Sequence, residues 1–251
     1  MQSVEQTEVE ALKQQIAVLR QQLTEAQRMT AMGELVSTTT HEFNNVLMSI
    51  LNYAKMGLRH KDEPTRDKAL QKIHDAGERA AKITNSVLGM ARNRTDQMEP
   101  TDLAGLVENS LILLEREMTK YRIAVDRDFQ DSPQVVANGN QLQQVVLNLL
   151  INARQAMPDG GQLIIRISPD AEQGTVDLMV RDNGCGIPQD KLRNIFDAFY
   201  STKAGPDETG KGGTGLGLSA CRNIIESHNG RIRVQSSVGK GTAFTIKLPA
   251  A

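Results

Sequence analysis

The chain has 251 residues, a formal net charge of −1, 39% apolar residues and 3% aromatic residues. That charge balance disfavours nucleic acid or an anionic membrane surface as a partner. No apolar run reaches the roughly 20 residues of a membrane span, and the polar N-terminus lacks a signal-peptide pattern. Cys185 and Cys221 form neither a CxxC nor a zinc spacing. A reduced, cytoplasmic setting is therefore expected, with the chain standing alone or as the cytosolic part of something longer.

Val9, Leu12, Ile16, Leu19, Leu23 and Ala26 alternate three and four apart in a Gln/Glu-rich stretch without Gly or Pro. That heptad seam predicts a coiled coil over 1–28, most simply paired with a second copy. From Met29 the apolar phase shifts. Met29, Met32, Val36, Phe43, Val46 or Leu47, and Ile50 mark a helix running to about residue 59. His41 lies roughly 200° from that stripe at about 100° per residue, so it should face solvent. Asn45, four residues on, shares its face, and Glu42 adjoins it. Imidazole is nucleophilic near neutral pH, and Glu42 is placed to accept a proton from one ring nitrogen.

A polar break ending at Pro64 predicts a turn. A second helix follows over 65–92 with the stripe Ala69, Ile73, Ala76, Ala80, Ile83, Val87 and Met90. The two helices make a hairpin, and two hairpins would close a four-helix bundle. His60 and His74 read as surface or structural residues. Residues 97–101 close a polar stretch with Pro100 and read as a linker.

Beyond it the pattern mixes helices and strands. Helices are expected over 103–118, 140–157 and 219–227, and strands over 122–128, 134–137, 163–167, 176–181, 231–236 and 242–248. A turn with Pro169 and Gly174 divides the third and fourth strands. This order suggests an α+β layered sandwich over 102–251.

Four stretches of this half carry chemistry. Asn148 and Asn152, four apart in an apolar helix, put two carboxamides on one face, a set suited to a hydrated Mg²⁺ or to a satisfied core pair. RDNGCGIP (181–188) follows a strand. There Asp182 can accept from an exocyclic amine, and Gly184 and Gly186 allow a tight turn. IFDAFYSTK (195–203) concentrates aromatics in an aromatic-poor chain. GPDETGKGGTGLGLS (205–219) is Gly-rich, enters a helix, and fits neither a Walker A loop nor a dinucleotide fingerprint.

In this order, with HEFNN at 41–45 and GKGTAF at 239–244, the stretches resemble the kinase core of sensor histidine kinases of two-component systems. The resemblance implies a mainly α N-terminal half, a coiled coil plus a helical hairpin (29–96) forming a dimeric four-helix bundle. It implies a C-terminal ATP-binding sandwich of the type shared with gyrase and Hsp90. His41 would be the phosphoacceptor, Glu42 its acid/base partner, and Asn45 the residue that positions water for dephosphorylating a response regulator. Asn148 and Asn152 would hold Mg²⁺ with ATP. Nucleotide contacts fall to Gln155, Asp182, Gly184, Gly186, Ile187, Phe199, Tyr200, Lys203, Lys211, Gly213, Thr214, Gly215, Leu216, Gly217, Leu218 and Thr242. The implied partners are a second copy and a response-regulator receiver domain. Two positions depart from the pattern: Val46 stands where many members have Pro, and Gln155 where many have Lys or Arg. The alternative is an ATPase of the same nucleotide fold that works by conformational change without phosphorylating a histidine.

Overall fold

The computed structural model describes residues 43–60, 62–92, 97–201 and 215–251, with backbone alone at 82–83 and 85–92. The expected coiled coil lies outside the described residues, as do His41, Glu42, Lys203, Lys211, Gly213 and Thr214. Helix α1 covers 43–59 of the described chain, and α2 spans Glu63–Arg92. Val46, Ala69 and Ala76 are buried, while Ile50, Ile73 and Ala80 are half-buried, so one stripe of each helix is covered. Pro64 sits in the first turn of α2, where its missing N–H costs nothing. Phe43, expected on the buried stripe of its helix, is exposed, as are Leu47, Leu51 and Leu58. No described helix is long and apolar enough to cross a membrane.

The remaining elements are β1 (Glu99–Thr101), α3 (Leu103–Lys120), β2 (Ile123–Phe129), β3 (Val135–Ala137), α4 (Gly139–Ala156), β4 (Gly161–Asp170), β5 (Thr175–Asp182), α5 (Gly217–Ser227), β6 (Arg231–Ser237) and β7 (Gly241–Pro249). A five-stranded sheet has the order β2-β4-β5-β7-β6, with β2 parallel to β4 and the rest antiparallel. Burial alternates along β4: Leu163, Ile165 and Ile167 are buried, whereas Gln162 and Arg166 are exposed. Helices α3, α4 and α5 supply the opposing layer, and the core lies between.

Two further expectations differ from the structure. Residues 99–101, read as linker, form β1 and pair antiparallel with β3. Strand β4 runs through Pro169, which the sequence places in a turn. It does so because β2 stops pairing at Ile167, so no neighbour on that side calls for the missing N–H.

Helix α4 is the pivot of this half. Asn138 caps it by accepting from the N–H groups of Asn140 and Gln141, each at 3.2 Å. Leu142, Val145, Val146, Leu147, Leu149, Leu150 and Ala153 are all buried. One strip is left for Asn148, Ile151, Asn152 and Gln155, at helical spacings of three and four. His228, buried at the end of α5, ties that helix to the start of α4. Its Nδ1–H donates to Ile224 O at 2.7 Å, and its Nε2 accepts the Asn138 N–H at 2.9 Å. An amide N–H can only donate, so the ring is the neutral Nδ1–H tautomer.

Candidate functional site

A cavity of about 340 Å³ opens between the polar strip of α4, the end of β5 and the start of α5. Asn148, Asn152 and Gln155 line it from α4, Asp182 from β5, Gly186 and Ile187 from the following loop. Tyr200, Gly215, Gly217, Leu218 and Thr242, also expected, line it as well.

Asp182 is 4% exposed. Its Oδ1 accepts from the N–H groups of Gly184 at 2.9 Å and Thr242 at 3.2 Å. Both bonds fall on that one oxygen, which leaves Oδ2 open among the described residues, and the carboxyl lines the cavity. Burial pushes the carboxyl above its ordinary value, against the two backbone N–H bonds that favour the charge. A buried acceptor with an open oxygen suits a donor brought by a ligand.

Asn148 is oriented from α5. Its Nδ2 donates to Gly217 O at 3.3 Å and lies 3.7 Å from Cys221 Sγ. A carbonyl can only accept, so the amide nitrogen must face it, and Oδ1 is the end left for a ligand or metal. That donor set fits Mg²⁺, a hard cation that takes carboxamide oxygens and keeps its other positions for water and phosphate. No Lys or Arg lines the cavity among the described residues. Arg154 is turned away, 5.1 Å over the Tyr121 ring and 3.9 Å from Glu117. The described walls can meet a polyanionic ligand with backbone N–H groups and a bound cation, while the expected contacts Lys203 and Lys211 lie outside the described residues.

Backbone conformation shapes the walls at two glycines. Gly186 has φ +72°, and a Cβ there would fall on Ser237 O. Gly215 has φ +67°, and a Cβ would fall on the Phe199 backbone, whose N–H donates to Gly215 O at 3.0 Å. Only glycine meets both demands.

The gathering is not complete. Gly184, Phe199 and Leu216 do not line the cavity. Gly184 acts from behind, through its N–H to Asp182. Phe199 takes φ +66° and exposes its side chain at 70%, while its neighbour Tyr200 lines the wall. Ile151, Ala156, Ile195, Ser201 and Phe244 also line the cavity, and sequence reasoning does not single them out. Ile151 is within reach of the sequence, because it lies on the strip that Asn148 and Asn152 define. Phe244 belongs to the core alternation of β7 and carries no separate signal.

Cys185 lines the cavity and is exposed, whereas Cys221 is buried and its thiol is pushed up to about 12 by burial. A maleimide should therefore modify Cys185 alone in the folded chain. Occupancy of the cavity by nucleotide is expected to slow that labelling about tenfold or more, read by mass spectrometry with and without Mg²⁺-ATP. Labelling at an unchanged rate under saturating nucleotide would place the ligand elsewhere.

Residues 31–96 match the family described as the His Kinase A (phospho-acceptor) domain. Residues 137–251 match the histidine kinase-, DNA gyrase B- and HSP90-like ATPase family. Sensor kinase CckA of Brucella abortus is 37% identical over 98% of this chain, which spans only 26% of that relative's length. The catalytic domain of histidine kinase ThkA superposes with a TM-score of 0.53 at 30% identity, covering 61% of this chain and 99% of that one. ThkA in complex with the response regulator protein TrrA gives a TM-score of 0.52 at 25% identity, over 89% of this chain and 63% of that one.

Proposed function

The chain belongs to the sensor histidine kinases of two-component systems, and from that premise we propose that it uses ATP to phosphorylate His41 and passes the phosphoryl group to an aspartate of a response-regulator receiver domain. One observation carries the proposal. A cavity walled by the open oxygen of Asp182 and the carboxamides of α4 lies in the same chain as a phosphoacceptor match that contains His41. The rival reading, an ATPase without a phosphoacceptor, leaves that second match without a role.

In this mechanism Asp182 accepts from the adenine amino group. Asn148 and Asn152 would hold Mg²⁺, which when bound would supply charge neutralisation for the transferring group. A nitrogen of the His41 imidazole attacks the γ-phosphorus in line. The bond to the β–γ bridging oxygen breaks and ADP leaves. Glu42 accepts the proton from the other ring nitrogen, which keeps the attacking nitrogen's lone pair available. Asn45 orients a water for the reverse, dephosphorylating role toward the regulator.

A homodimer is part of the proposal. Phe43, Leu47, Leu51 and Leu58 are exposed at spacings of four and seven on α1, and Leu70 is exposed on α2. That apolar stripe adjoins the one the hairpin buries, and a second hairpin would cover it as a four-helix bundle.

The test is incubation with γ-labelled ATP and Mg²⁺. Label should appear on the protein, be lost in acid and survive base, as a phosphorus–nitrogen bond requires. Asn152→Ala should lower incorporation about 10- to 100-fold. Continued ATP hydrolysis with no labelled protein would replace the kinase reading with the ATPase one.

A further inference from the structure

Ser236 lies in β6, 7% exposed, and does not line the cavity. Its hydroxyl nevertheless sits at the junction of the elements that do. The Ile187 N–H donates to Ser236 Oγ at 2.8 Å. Ser236 Oγ lies 3.0 Å from Gly241 O and 2.9 Å from Thr242 Oγ1. The Thr242 N–H in turn donates to Asp182 Oδ1. The loop after β5 is also held to the β6–β7 turn by Gly239 N–H donating to Cys185 O at 2.8 Å. Gln189 Nε2 adds a bond to Ser236 O at 3.1 Å.

Proton counting fixes the direction of these bonds. A hydroxyl has one hydrogen and two acceptor sites. Ile187 N–H can only donate, and Gly241 O can only accept. If Ser236 gives its hydrogen to Gly241 O and receives the Thr242 hydroxyl hydrogen, all three contacts are hydrogen bonds. If Ser236 gives its hydrogen to Thr242 instead, Gly241 O loses this donor. The first arrangement uses every partner, and buried polar groups favour full use.

The consequence reaches the ligand. With its hydrogen turned to Ser236, Thr242 offers the cavity only lone pairs. The open Asp182 oxygen, as a carboxylate, does the same. Two acceptors and no donor suit an amino group and oppose a carbonyl oxygen in its place. We propose that Ser236, which touches no substrate, is a positioning residue that makes base recognition select a 6-amino over a 6-oxo purine, by fixing the direction of the Thr242 hydroxyl. The proposal rests on the ATP reading of the site.

The experiment compares ATP and inosine triphosphate affinities, with Mg²⁺, on wild type, Ser236→Ala, Ser236→Thr and Thr242→Val. Wild type should prefer ATP. Ser236→Ala frees the Thr242 hydrogen to turn into the cavity, and the preference should fall about tenfold. Ser236→Thr keeps the hydroxyl and should keep the preference. The ratio is insensitive to partial unfolding, because a reduced competent fraction scales both affinities equally. An equal loss for both nucleotides in Ser236→Ala would make Ser236 a structural tie alone and overturn the inference. Should Ser236→Ala fail to fold, Thr242→Val decides. It leaves Ser236 bonded to Ile187 and Gly241, and should weaken ATP while leaving inosine triphosphate within about twofold. Equal weakening of both there would also overturn it. Wild type that binds neither nucleotide overturns the ATP reading itself. Wild type that binds ATP without preferring it overturns the inference alone.

Discussion

Replacing His41 with Gln is expected to remove phosphoryl incorporation, to at least about 1,000-fold below wild type, while ATP affinity stays within about twofold. Glutamine keeps comparable bulk and hydrogen-bonding capacity but has no nucleophilic nitrogen. Every residue lining the cavity lies between Asn148 and Phe244, so a change at position 41 leaves the described nucleotide wall intact. The elimination among the four histidines is partly structural. His228 is buried with both ring nitrogens engaged, so it cannot attack without unmaking the tie between α5 and α4. His60 and His74 are exposed on the hairpin, and exposure alone would admit them. Asp75 adjoins His74 as Glu42 adjoins His41, so what separates His41 is the HEFNN pattern, with Asn45 one turn on where His74 has Glu78. His60→Gln and His74→Gln are therefore expected to incorporate label at wild-type levels. Label retained in His41→Gln and lost in either of the other two would move the acceptor and discard the proposed roles of Glu42 and Asn45 with it.

The helices were legible because their periodic stripes are long. α3, α4 and α5 begin within two residues of the positions expected, and the strands alternate as read. β1 was not legible: three residues including Pro100 carry no alternation, and they become a strand only because Val135–Ala137 lies beside them. The extension of β4 through Pro169 likewise depends on where its neighbour ends, which is tertiary information. In the cavity, sequence located residues whose type is unusual in context, such as Asn in an apolar helix and Asp-Asn-Gly after a strand. It could not separate adjacent aromatics. Phe199 and Tyr200 carry the same signal, and only the positive φ at Phe199 decides which of them lines the wall. Nor could it find Ser236, an ordinary strand serine whose role comes from three partners, the farthest 49 positions back at Ile187. The exposed apolar residues of α1 escape periodicity for a related reason. One helix carries an apolar face wider than its own hairpin covers, and periodicity alone does not say which edge stays open in the single chain.

Replacing Asp182 with Asn is expected to lower ATP affinity by about 100-fold or more while leaving the fold intact. The change is isosteric, and its effect follows from polarity. The N–H groups of Gly184 and Thr242 both need an acceptor at the Oδ1 position, so the new amide must place its oxygen there. Its NH₂ then occupies the position of Oδ2 and presents donors to the cavity. A donor facing the adenine amino group leaves both unpaired, whereas inosine triphosphate, an acceptor at that position, should lose less. Stability moves the other way. Burial raises the folded-state pKa of Asp182, so the native chain holds this proton more tightly than the unfolded chain does. The carboxyl's contribution to stability is therefore greatest below its unfolded pKa, about 4, and is lost as pH rises through the raised folded value. The substituted carboxamide has no such proton, so nucleotide-free Asp182→Asn should gain on wild type in urea unfolding as pH rises across that window. A variant that binds ATP normally would remove Asp182 from base recognition. One that loses stability relative to wild type as pH rises would mean that the buried carboxylate is compensated by contacts beyond its two N–H bonds. The joint result, weaker binding with stability gained toward neutral pH, is what a carboxylate kept open for a ligand requires: its desolvation is tolerated in the free protein because the bound amine relieves it.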